Sequence, residues 1–332
     1  MPVIIKKKFG TVEEFTPKSA PEKFKCMLAA SEIPTEDELV FPLLASVKLD
    51  GIRSPILNGV AMSRKMLPLP NQSIQAWVAE YSTFLQGLDG EMIVGPPNLP
   101  TTFNTTTSGV MKVSGKPDFK FYVFEHWGMG LCNAKDRADF LAQYLKAAPA
   151  FLTDRIVLIP QRWVHNVEEL RNFYAQALHE GYEGLILKSP YKPYKFGRST
   201  IKEGAALKFK EFIDYNCVIL EVKQGKTNTN EKVKDELGHA KRSTAKAGKV
   251  PNQEVGGFVV ECTEKESVYY GMQFNCGPGS LTQAELRALW GSRENIVGRT
   301  IRVKSQKLGG KSLPRFPSFF GWRSAIDMGD AE

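Results

Sequence analysis

The amino-acid sequence predicts an α+β protein of two domains, the second of which is a small Greek-key β-barrel. The chain has 332 residues, enough for two domains at about 150 residues per domain. Strand-like and helix-like segments alternate up to about residue 212, whereas short strand-like segments interrupted by one helix follow. We therefore predict one domain over residues 1–212 and another over residues 213–332.

The composition excludes a disordered chain and indicates a cytoplasmic one. Hydrophobic residues make up 42% and aromatic residues 11% of the sequence, more than a disordered chain contains. No apolar run approaches the roughly 18 residues of a membrane-spanning helix, and no apolar segment of a signal peptide follows the lysines at 6–8. The cysteines form no Cys-x-x-Cys pair, so we expect no zinc site and no disulfide framework. A reducing cytoplasm is the expected location.

The first domain has one strong turn signal and two amphipathic helical patterns. Strand-like segments at 52–57 and 60–64 flank Asn58-Gly59, the strongest two-residue hairpin signal. Apolar residues recur at helical spacing over residues 74–85 and 167–178. Further strands are predicted at 41–47, 119–125, 184–188 and 206–210.

The second domain has the pattern of a barrel of the oligonucleotide/oligosaccharide-binding (OB) type, a fold that often binds nucleic acid. A capping box, Thr282-x-x-Glu285, predicts the start of its helix. Residues 223–250 have little apolar content, so we expect a mobile loop there between two barrel strands. Strands are predicted at 216–222, 256–261, 267–274 and 299–304.

Positive charge is concentrated in the last third of the chain. The sequence has 44 Lys and Arg against 36 Asp and Glu, a net charge of +8. Residues 299–323 contain seven basic residues and no acidic one, and residues 223–250 contain eight basic and three acidic residues. This part is therefore expected to contact phosphates. The candidate side chains are Lys226, Lys241, Arg242, Lys246, Arg315 and Arg323.

One local cluster predicts a reactive lysine. In Lys48-Leu-Asp-Gly-Ile-Arg53, the Asp-Gly pair predicts a tight turn after a strand, with Lys48 and Arg53 facing the same cleft. Neighbouring cations and a bound metal favour the uncharged amine, which is the nucleophilic form. Alone, the hexapeptide is more typical of a surface turn with two solvated charges.

The cluster begins a series of six motifs that occur in a fixed order. They are K-x-D-G-x-R at 48–53, S-R at 63–64, D-G-E at 89–91, an aromatic strand at 121–125, E-G-x-x-x-K at 183–188 and K-x-K at 208–210. Each is weak alone, but in this order and spacing they resemble the short, bacteriophage-type ATP-dependent DNA ligases of the covalent nucleotidyltransferase superfamily. The resemblance implies an adenylation (nucleotidyltransferase) domain of antiparallel sheets with helices, followed by an OB-fold β-barrel.

The resemblance implies roles for the residues that would bind ATP. Lys48 would attack the α-phosphorus of ATP, giving a lysyl-AMP intermediate and pyrophosphate. The Glu91 carboxylate, expected at a strand start, would accept hydrogen bonds from ribose hydroxyls. Tyr122 and Phe124 alternate with Val123 and so share one strand face, and of the two we favour Phe124 as the ring that stacks on adenine.

Other roles concern metal, phosphate and DNA. Glu183 would help to bind Mg²⁺, for which one or two protein carboxylates suffice. Lys208 and Lys210, on one face of a strand, would offset the charge that develops as pyrophosphate leaves, and Lys188 would join them. Arg53 would contact the nucleotide and later the nick phosphate, and Arg64 would contact DNA.

The sequence departs from the superfamily pattern at its C-terminal end. The R-x-D-K motif of many members is absent, and Arg323-x-x-x-Asp327 is at best a degenerate version. Only 47 residues precede Lys48, too few for the additional N-terminal domains of cellular ATP-dependent or NAD-dependent ligases, so ATP is the expected cosubstrate. The resemblance thus implies a monomeric enzyme that seals nicks in double-stranded DNA, with no membrane partner. The alternatives are an RNA ligase, an mRNA-capping guanylyltransferase and, from another class, a non-catalytic OB-fold nucleic-acid-binding protein.

Overall fold

The computed structural model describes residues 3–6, 12–15, 24–210, 212–234, 240–243, 245–306 and 313–323. The chain divides into two compact units, with the boundary between residues 210 and 211. Both units are built from mostly antiparallel sheets with few helices, so the predicted α+β class is confirmed. Within the described residues, no helix has the length and apolar character needed to cross a membrane.

The first unit contains two larger sheets and a short hairpin. In chain order its elements are β1 (Val3–Lys6), β2 (Val12–Phe15), β3 (Leu43–Val47), β4 (Ile52–Leu57), β5 (Val60–Ala61), α1 (Gln72–Glu80), α2 (Ser82–Leu85), β6 (Leu88–Val94), α3 (Thr102–Val110), β7 (Phe119–His126), α4 (Ala134–Lys146), α5 (Ala150–Thr153), β8 (Ile156–Leu158), β9 (Arg162–Val164), α6 (Val167–His179), β10 (Leu185–Lys188) and β11 (Leu207–Phe209). One sheet has the order β5-β4-β6-β7-β8, parallel only between β7 and β8, and the other has the order β11-β10-β3-β9. β1 pairs with β2.

Local sequence signals explain several of these elements. Asn58 and Gly59 have φ angles of 50° and 74°, the left-handed conformation that a two-residue hairpin turn between β4 and β5 requires. The predicted helix over 167–178 is α6, whose first turn is capped by the Asn166 side chain accepting from the Glu169 N–H. The helical pattern over 74–85 is divided into α1 and α2, because the backbone leaves the helical conformation at Tyr81.

Each of the two larger sheets of the first unit has its own apolar core. The core beside the five-stranded sheet includes Ile56, Leu88 and Phe121, and that beside the four-stranded sheet includes Ala45, Leu170 and Leu187, all buried. Antiparallel pairing of β3 with β10 sets Val47 opposite Leu185. The motifs at 48–53 and 183–188 are thereby brought together.

The second unit has the strand arrangement of an open Greek-key barrel. Its elements are β12 (Phe212–Asn228), β13 (Lys232–Lys234), β14 (Ala240–Arg242), β15 (Lys249–Cys262), β16 (Gln273–Cys276), α7 (Gln283–Gly291), β17 (Thr300–Gln306) and β18 (Arg315–Trp322). The sheet order is β16-β15-β12-β17-β18, so β17 returns to lie beside the first strand, as in a Greek key. Among the described residues, one bridge links Gly277, just after β16, to Ser318 of β18, and no longer ladder between these edge strands closes the predicted barrel. The capping box at Thr282 and Glu285 is confirmed at the start of α7.

Two sequence predictions in this unit are wrong. Most of the described residues between 223 and 250 lie in strands rather than in a loop: β12 runs to Asn228 and pairs with β15 as far as Lys249, and β13 pairs with β14. This hairpin arm extends beyond the core, so its strands do not show the apolar alternation that predicts a strand. The strand predicted at 267–274 begins only at Gln273, because turns occupy the residues before it. Tyr269, which lies in one of these turns, is buried in the core of the unit.

Candidate active site

A cleft of about 220 Å³ in the first unit is lined by residues of most of the predicted motifs. Its walls come from β3, β4, β6, β7, β10 and β11 and from the chain around Met27. Tyr122, Glu183 and Lys210 lie outside this lining. The predicted residues that line it are Lys48, Arg53, Arg64, Glu91, Phe124, Lys188 and Lys208.

Lys48 lies directly after β3 and is fixed at both its backbone and its ammonium group. Its N–H donates to the Gly184 carbonyl at 2.7 Å, and its Nζ donates to Glu183 Oε2. Lys210 Nζ donates to the other oxygen of that carboxylate at 2.7 Å. Burial alone would raise the pKa of the Glu183 carboxyl, but the two ammonium groups outweigh it and hold that pKa below its usual range.

Gly184 is required where β10 begins. Its φ of 148° is one that side chains rarely adopt, and a Cβ there would collide with the Phe209 carbonyl oxygen. A glycine at this point lets β11 approach β10 closely, which places Lys210 within reach of Glu183.

Arg53 is fixed beside the cleft by a buried carboxylate. Its Nε and Nη2 donate to the two oxygens of Asp89 at 2.6 and 2.7 Å, and Asp89 is fully buried. The Tyr194 hydroxyl donates to Asp89 at 2.8 Å and accepts from the Met27 N–H at 2.8 Å. The guanidinium carbon lies 4.4 Å from the centre of the Phe124 ring, so the charge and the ring hold each other in place.

Glu91 carries an unsatisfied hydrogen-bond acceptor in the cleft. It lies in the middle of β6 rather than at a strand start, because β6 begins at Leu88. Its Oε2 is buried and has no hydrogen-bond partner among the described residues. Burial raises the pKa of this carboxyl to about 7. A buried acceptor without a partner is costly, so the position is suited to a ligand that donates hydrogen bonds.

Lys188 belongs to a buried ionic network. Its Nζ donates to Glu125 Oε1 at 2.8 Å, to Gln161 Oε1 at 3.2 Å and to the Phe124 carbonyl at 3.4 Å. Arg137 donates two hydrogen bonds to Glu125, at 2.9 and 3.0 Å. Burial lowers the pKa of Lys188. Burial acts to raise the pKa of Glu125, but Lys188 and Arg137 outweigh burial and lower that pKa to about 2. Because an ammonium has three donors, these three acceptors leave Lys188 none for a phosphate, although it lines the cleft.

The K-x-K pair contacts two different partners. β11 ends at Phe209, so Lys210 lies just past the strand and binds Glu183. Lys208 lines the cleft and donates to the Ser31 carbonyl. Burial, together with neighbouring cations of which Lys210 is the first, lowers the pKa of Lys208.

Sequence reasoning missed several residues that shape the cleft. Arg198 lines it and donates to the Ala29 carbonyl at 2.9 Å, so it adds a cation beside Lys208. Asp89 is the first letter of the D-G-E motif, so a signal for it existed, but no role was assigned to it. Tyr194 and Arg137 carry no motif, and only the folded chain brings them to Asp89 and Glu125.

The predicted DNA-contacting residues of the second unit lie in the hairpin arm and around β18. Lys226, Arg242 and Lys246 are exposed in the arm. Arg323 donates to Asn216 Oδ1 at 3.1 Å, and Arg315 lies 5.2 Å from the Phe316 ring. The Lys241 side chain, the basic residues Lys307 and Lys311, and Asp327 of the degenerate motif lie outside the described residues.

A family model described as "ATP dependent DNA ligase domain" matches residues 27–210, more than half of the chain. A probable DNA ligase of Aquifex aeolicus is 52% identical over 65 residues, 19% of this chain and 10% of that protein. A probable DNA ligase of Kineococcus radiotolerans is 28% identical over 217 residues, 60% of this chain and 40% of that protein. The matches therefore span less than half the length of these curated relatives.

Two solved structures resemble the fold along nearly the whole chain. The Chlorella virus DNA ligase-adenylate is 28% identical with a TM-score of 0.51, over 91% of this chain and 98% of that one. A Lig E DNA ligase is 22% identical with a TM-score of 0.65, over 90% of this chain and 99% of that one. At that identity the second likeness is one of fold alone.

Proposed function

The chain belongs to the ATP-dependent DNA ligase domain family, and on that premise we propose that it seals nicks in double-stranded DNA with ATP as cosubstrate. The observation that carries the proposal is the pairing of Lys48, which lines the cleft, with Glu183 beside it, in a cleft that also holds the unpartnered oxygen of Glu91. The pairing fixes the position of a candidate nucleophile, and the unpartnered oxygen requires a donor that the described part of the chain does not supply. A nucleotide brings both an electrophilic phosphorus and two ribose hydroxyls.

The cleft fits the parts of ATP in separate places. The ribose hydroxyls would donate to Glu91, and adenine would stack on Phe124, whose ring lines the cleft while that of Tyr122 does not. Arg53 and Lys208 present positive charge to the phosphates in the same cleft. This arrangement supports a purine nucleoside triphosphate as ligand, and the family premise makes it ATP.

The proposed chemistry begins at the Nζ atom of Lys48. In the first step the Lys48 amine forms a bond to the α-phosphorus as the bond to pyrophosphate breaks. AMP then passes from Lys48 to the 5′-phosphate of the nick, and the 3′-hydroxyl displaces AMP to form the phosphodiester. Lys208 and Lys210 offset the negative charge of the departing group, and Glu183 holds Lys48 and Lys210 together before the first step.

Mg²⁺ is part of the proposal, with Glu183 as its carboxylate. The described residues contain no group of three His, Cys, Asp or Glu side chains that could hold a metal alone. A single carboxylate beside nucleotide phosphates and waters nevertheless fits the oxygen-rich, partly hydrated coordination that Mg²⁺ prefers. The ion would supply charge that neutralises the phosphates, and it would compete with the two lysines for Glu183.

We also propose that the two compact units act as an adenylation domain and a DNA-binding OB domain in a monomer. The exposed cations of the hairpin arm and the partly buried Arg315 and Arg323 support the second assignment, because phosphates dominate the affinity of proteins for nucleic acid. The cysteines are all free thiols, in keeping with the cytoplasmic location that we propose.

The direct test is sealing of a duplex that has one nick and a labelled 5′-phosphate, with Mg²⁺ and ATP. We expect sealing by the wild-type protein and none by Lys48→Ala. Lys146→Ala, which removes an exposed lysine at the end of α4, is the matched control and should seal normally. A duplex whose nicked strand is RNA is tested alongside. Sealing of the RNA nick alone, or sealing by Lys48→Ala, would contradict the proposal.

A further inference from the structure

The second unit carries a sheet face on which aromatic rings and cations alternate. On β17 the side chains of Ile301, Val303 and Ser305 are buried, so those of Arg302 and Lys304 point away from the core. The Lys304 ammonium lies 4.7 Å from the Phe212 ring centre and 4.8 Å from the Phe320 ring centre. We call Phe212, Arg302, Lys304 and Phe320 the aromatic–cationic face.

Two irregularities in β18 turn phenylalanine rings outward. Arg302 is opposite Gly321 and Val303 is opposite Phe319, so Phe320 is the extra residue of a β-bulge. A second register shift lies between Ser318 and Arg315, where Phe316 has a φ of 53°, a strained value for an aromatic residue. The exposed fractions are 47% for Phe320 and 65% for Phe316. Bulges are over-represented beside functional sites, where they re-aim a side chain.

The face is held in place by contacts among its own residues. Arg302 Nε donates to Asp214 and its guanidinium lies 5.8 Å from the Phe320 ring centre. Gly321, opposite Arg302, has nothing within 4 Å of the place where a Cβ would be, so the space there is open. The rings are therefore oriented before a partner arrives, which reduces the entropy lost on binding.

We propose that the aromatic–cationic face, together with Phe316, binds an unpaired strand of nucleic acid. Bases stack on Phe320 and Phe316, and the phosphates between them contact Lys304 and Arg302. Stacking platforms interleaved with cations are the general means by which proteins hold single strands. In a duplex the base faces are covered by their neighbours, so a duplex would use the cations but would leave the rings without a partner. The exposed rings therefore favour a single strand.

This site is separate from the proposed nick-sealing chemistry. None of its residues lines the cleft at Lys48, and binding at the site needs neither ATP nor a nick. A displaced flap or an overhang on a DNA end would supply such a strand.

The test uses the full chain without ATP and a dye-labelled oligothymidylate of about 12 nucleotides, a length within the range of OB site sizes. Fluorescence anisotropy gives its affinity, and an intact duplex is measured alongside. We expect Phe320→Ala and Phe316→Ala each to weaken oligothymidylate binding about tenfold, the magnitude of losing one stacked base. Phe320→Leu retains an apolar side chain but cannot stack, so it should bind as weakly as Phe320→Ala. Lys304→Ala should reduce the slope of log affinity against log salt by about one.

Three controls make the outcome unambiguous. Tyr270→Ala removes a ring that is 55% exposed in a turn of the same unit and should bind like the wild type. Lys48→Ala should also bind normally, so failure of the ligase proposal would not affect this test. Unchanged unfolding temperatures of the Phe variants show that they fold. Wild-type affinity in the Phe316/Phe320 double alanine variant, or an equal loss of duplex affinity, would overturn the proposal.

Discussion

Glu91→Gln should stabilise the unliganded protein, and by more as the pH rises. In the wild type, burial raises the pKa of Glu91 to about 7 from a usual value of 4.5. The folded state therefore holds a proton that the unfolded state releases between these two pKa values. Glutamine has no proton to release, so the variant lacks this pH dependence.

The magnitude follows from the two pKa values. At about 1.36 kcal/mol per pKa unit, their difference corresponds to a cost of about 3 kcal/mol when the pH is above both. Because the unfolded state binds fewer protons than the folded state in this interval, the wild-type free energy of unfolding falls as pH rises. About 2.5 kcal/mol of the cost develops between pH 5 and pH 8. The stability advantage of Glu91→Gln should therefore grow by about that amount over this range.

The assay is urea unfolding of the nucleotide-free wild type and of Glu91→Gln at pH 5 and pH 8, with the transition of the first unit followed separately. Glu183→Gln is the matched control. The pKa of Glu183 is lowered by Lys48 and Lys210, so its carboxylate contributes stability above its unfolded pKa, and its replacement should destabilise at both pH values. A Glu91→Gln stability difference that does not change between pH 5 and pH 8 would refute the reasoning.

Three further predictions concern other parts of the molecule. Arg137→Met should lower the free energy of unfolding by about 3–5 kcal/mol, because it removes one partner of the buried Glu125; a loss under about 1 kcal/mol in urea unfolding would contradict the network's importance. Tyr194→Phe removes a hydroxyl that donates to Asp89 and accepts from a buried N–H, so thermal unfolding should show a loss of about 1–3 kcal/mol; an unchanged transition would mean that the hydroxyl is not needed to hold Asp89. Deletion of residues 226–249 removes the hairpin arm, and it should weaken binding to nicked DNA while leaving self-adenylation intact. Normal nick affinity at about 0.15 M salt in a filter-binding assay would contradict that assignment.

The sequence predicted that Lys48 and Glu183 lie together because their motifs flank two strands. Lys48 follows β3 and Glu183 precedes β10, and these strands are neighbours, so their antiparallel pairing alone brings the two side chains together. The hairpin at Asn58 and Gly59 and the start of α7 were predictable because their signals are local. Each depends on contacts within a few residues of chain.

Contacts between distant segments could not be read in the same way. Arg137 reaches Glu125 only because α4, which the sequence analysis did not identify, lies beside β7. The Tyr194 hydroxyl reaches Asp89 across 105 positions of the chain, and no local pattern marks that contact. The sequence predicted Lys188 as a phosphate ligand. In the structure, Glu125, Gln161 and the Phe124 carbonyl already accept its three hydrogen bonds.

The strands missed in the second unit have a different physical explanation. The hairpin arm has exposed side chains at most positions of both its long strands, so backbone pairing forms it without a hydrophobic signal. In β18, two bulges shift the alternation of buried and exposed residues, which hides the period of two that predicts a strand. In both places hydrophobic periodicity is lost although the hydrogen-bond ladder persists.

The most direct test of the central claim is covalent labelling of the protein with α-labelled ATP. The protein is first treated with pyrophosphate to remove any AMP already bound, then mixed with Mg²⁺ and labelled ATP or GTP and resolved on a denaturing gel. We predict label from ATP on the wild type and on Lys146→Ala, no label on Lys48→Ala, and no label from GTP. Label retained by Lys48→Ala would place the nucleophile elsewhere, and label from GTP alone would indicate a guanylyltransferase.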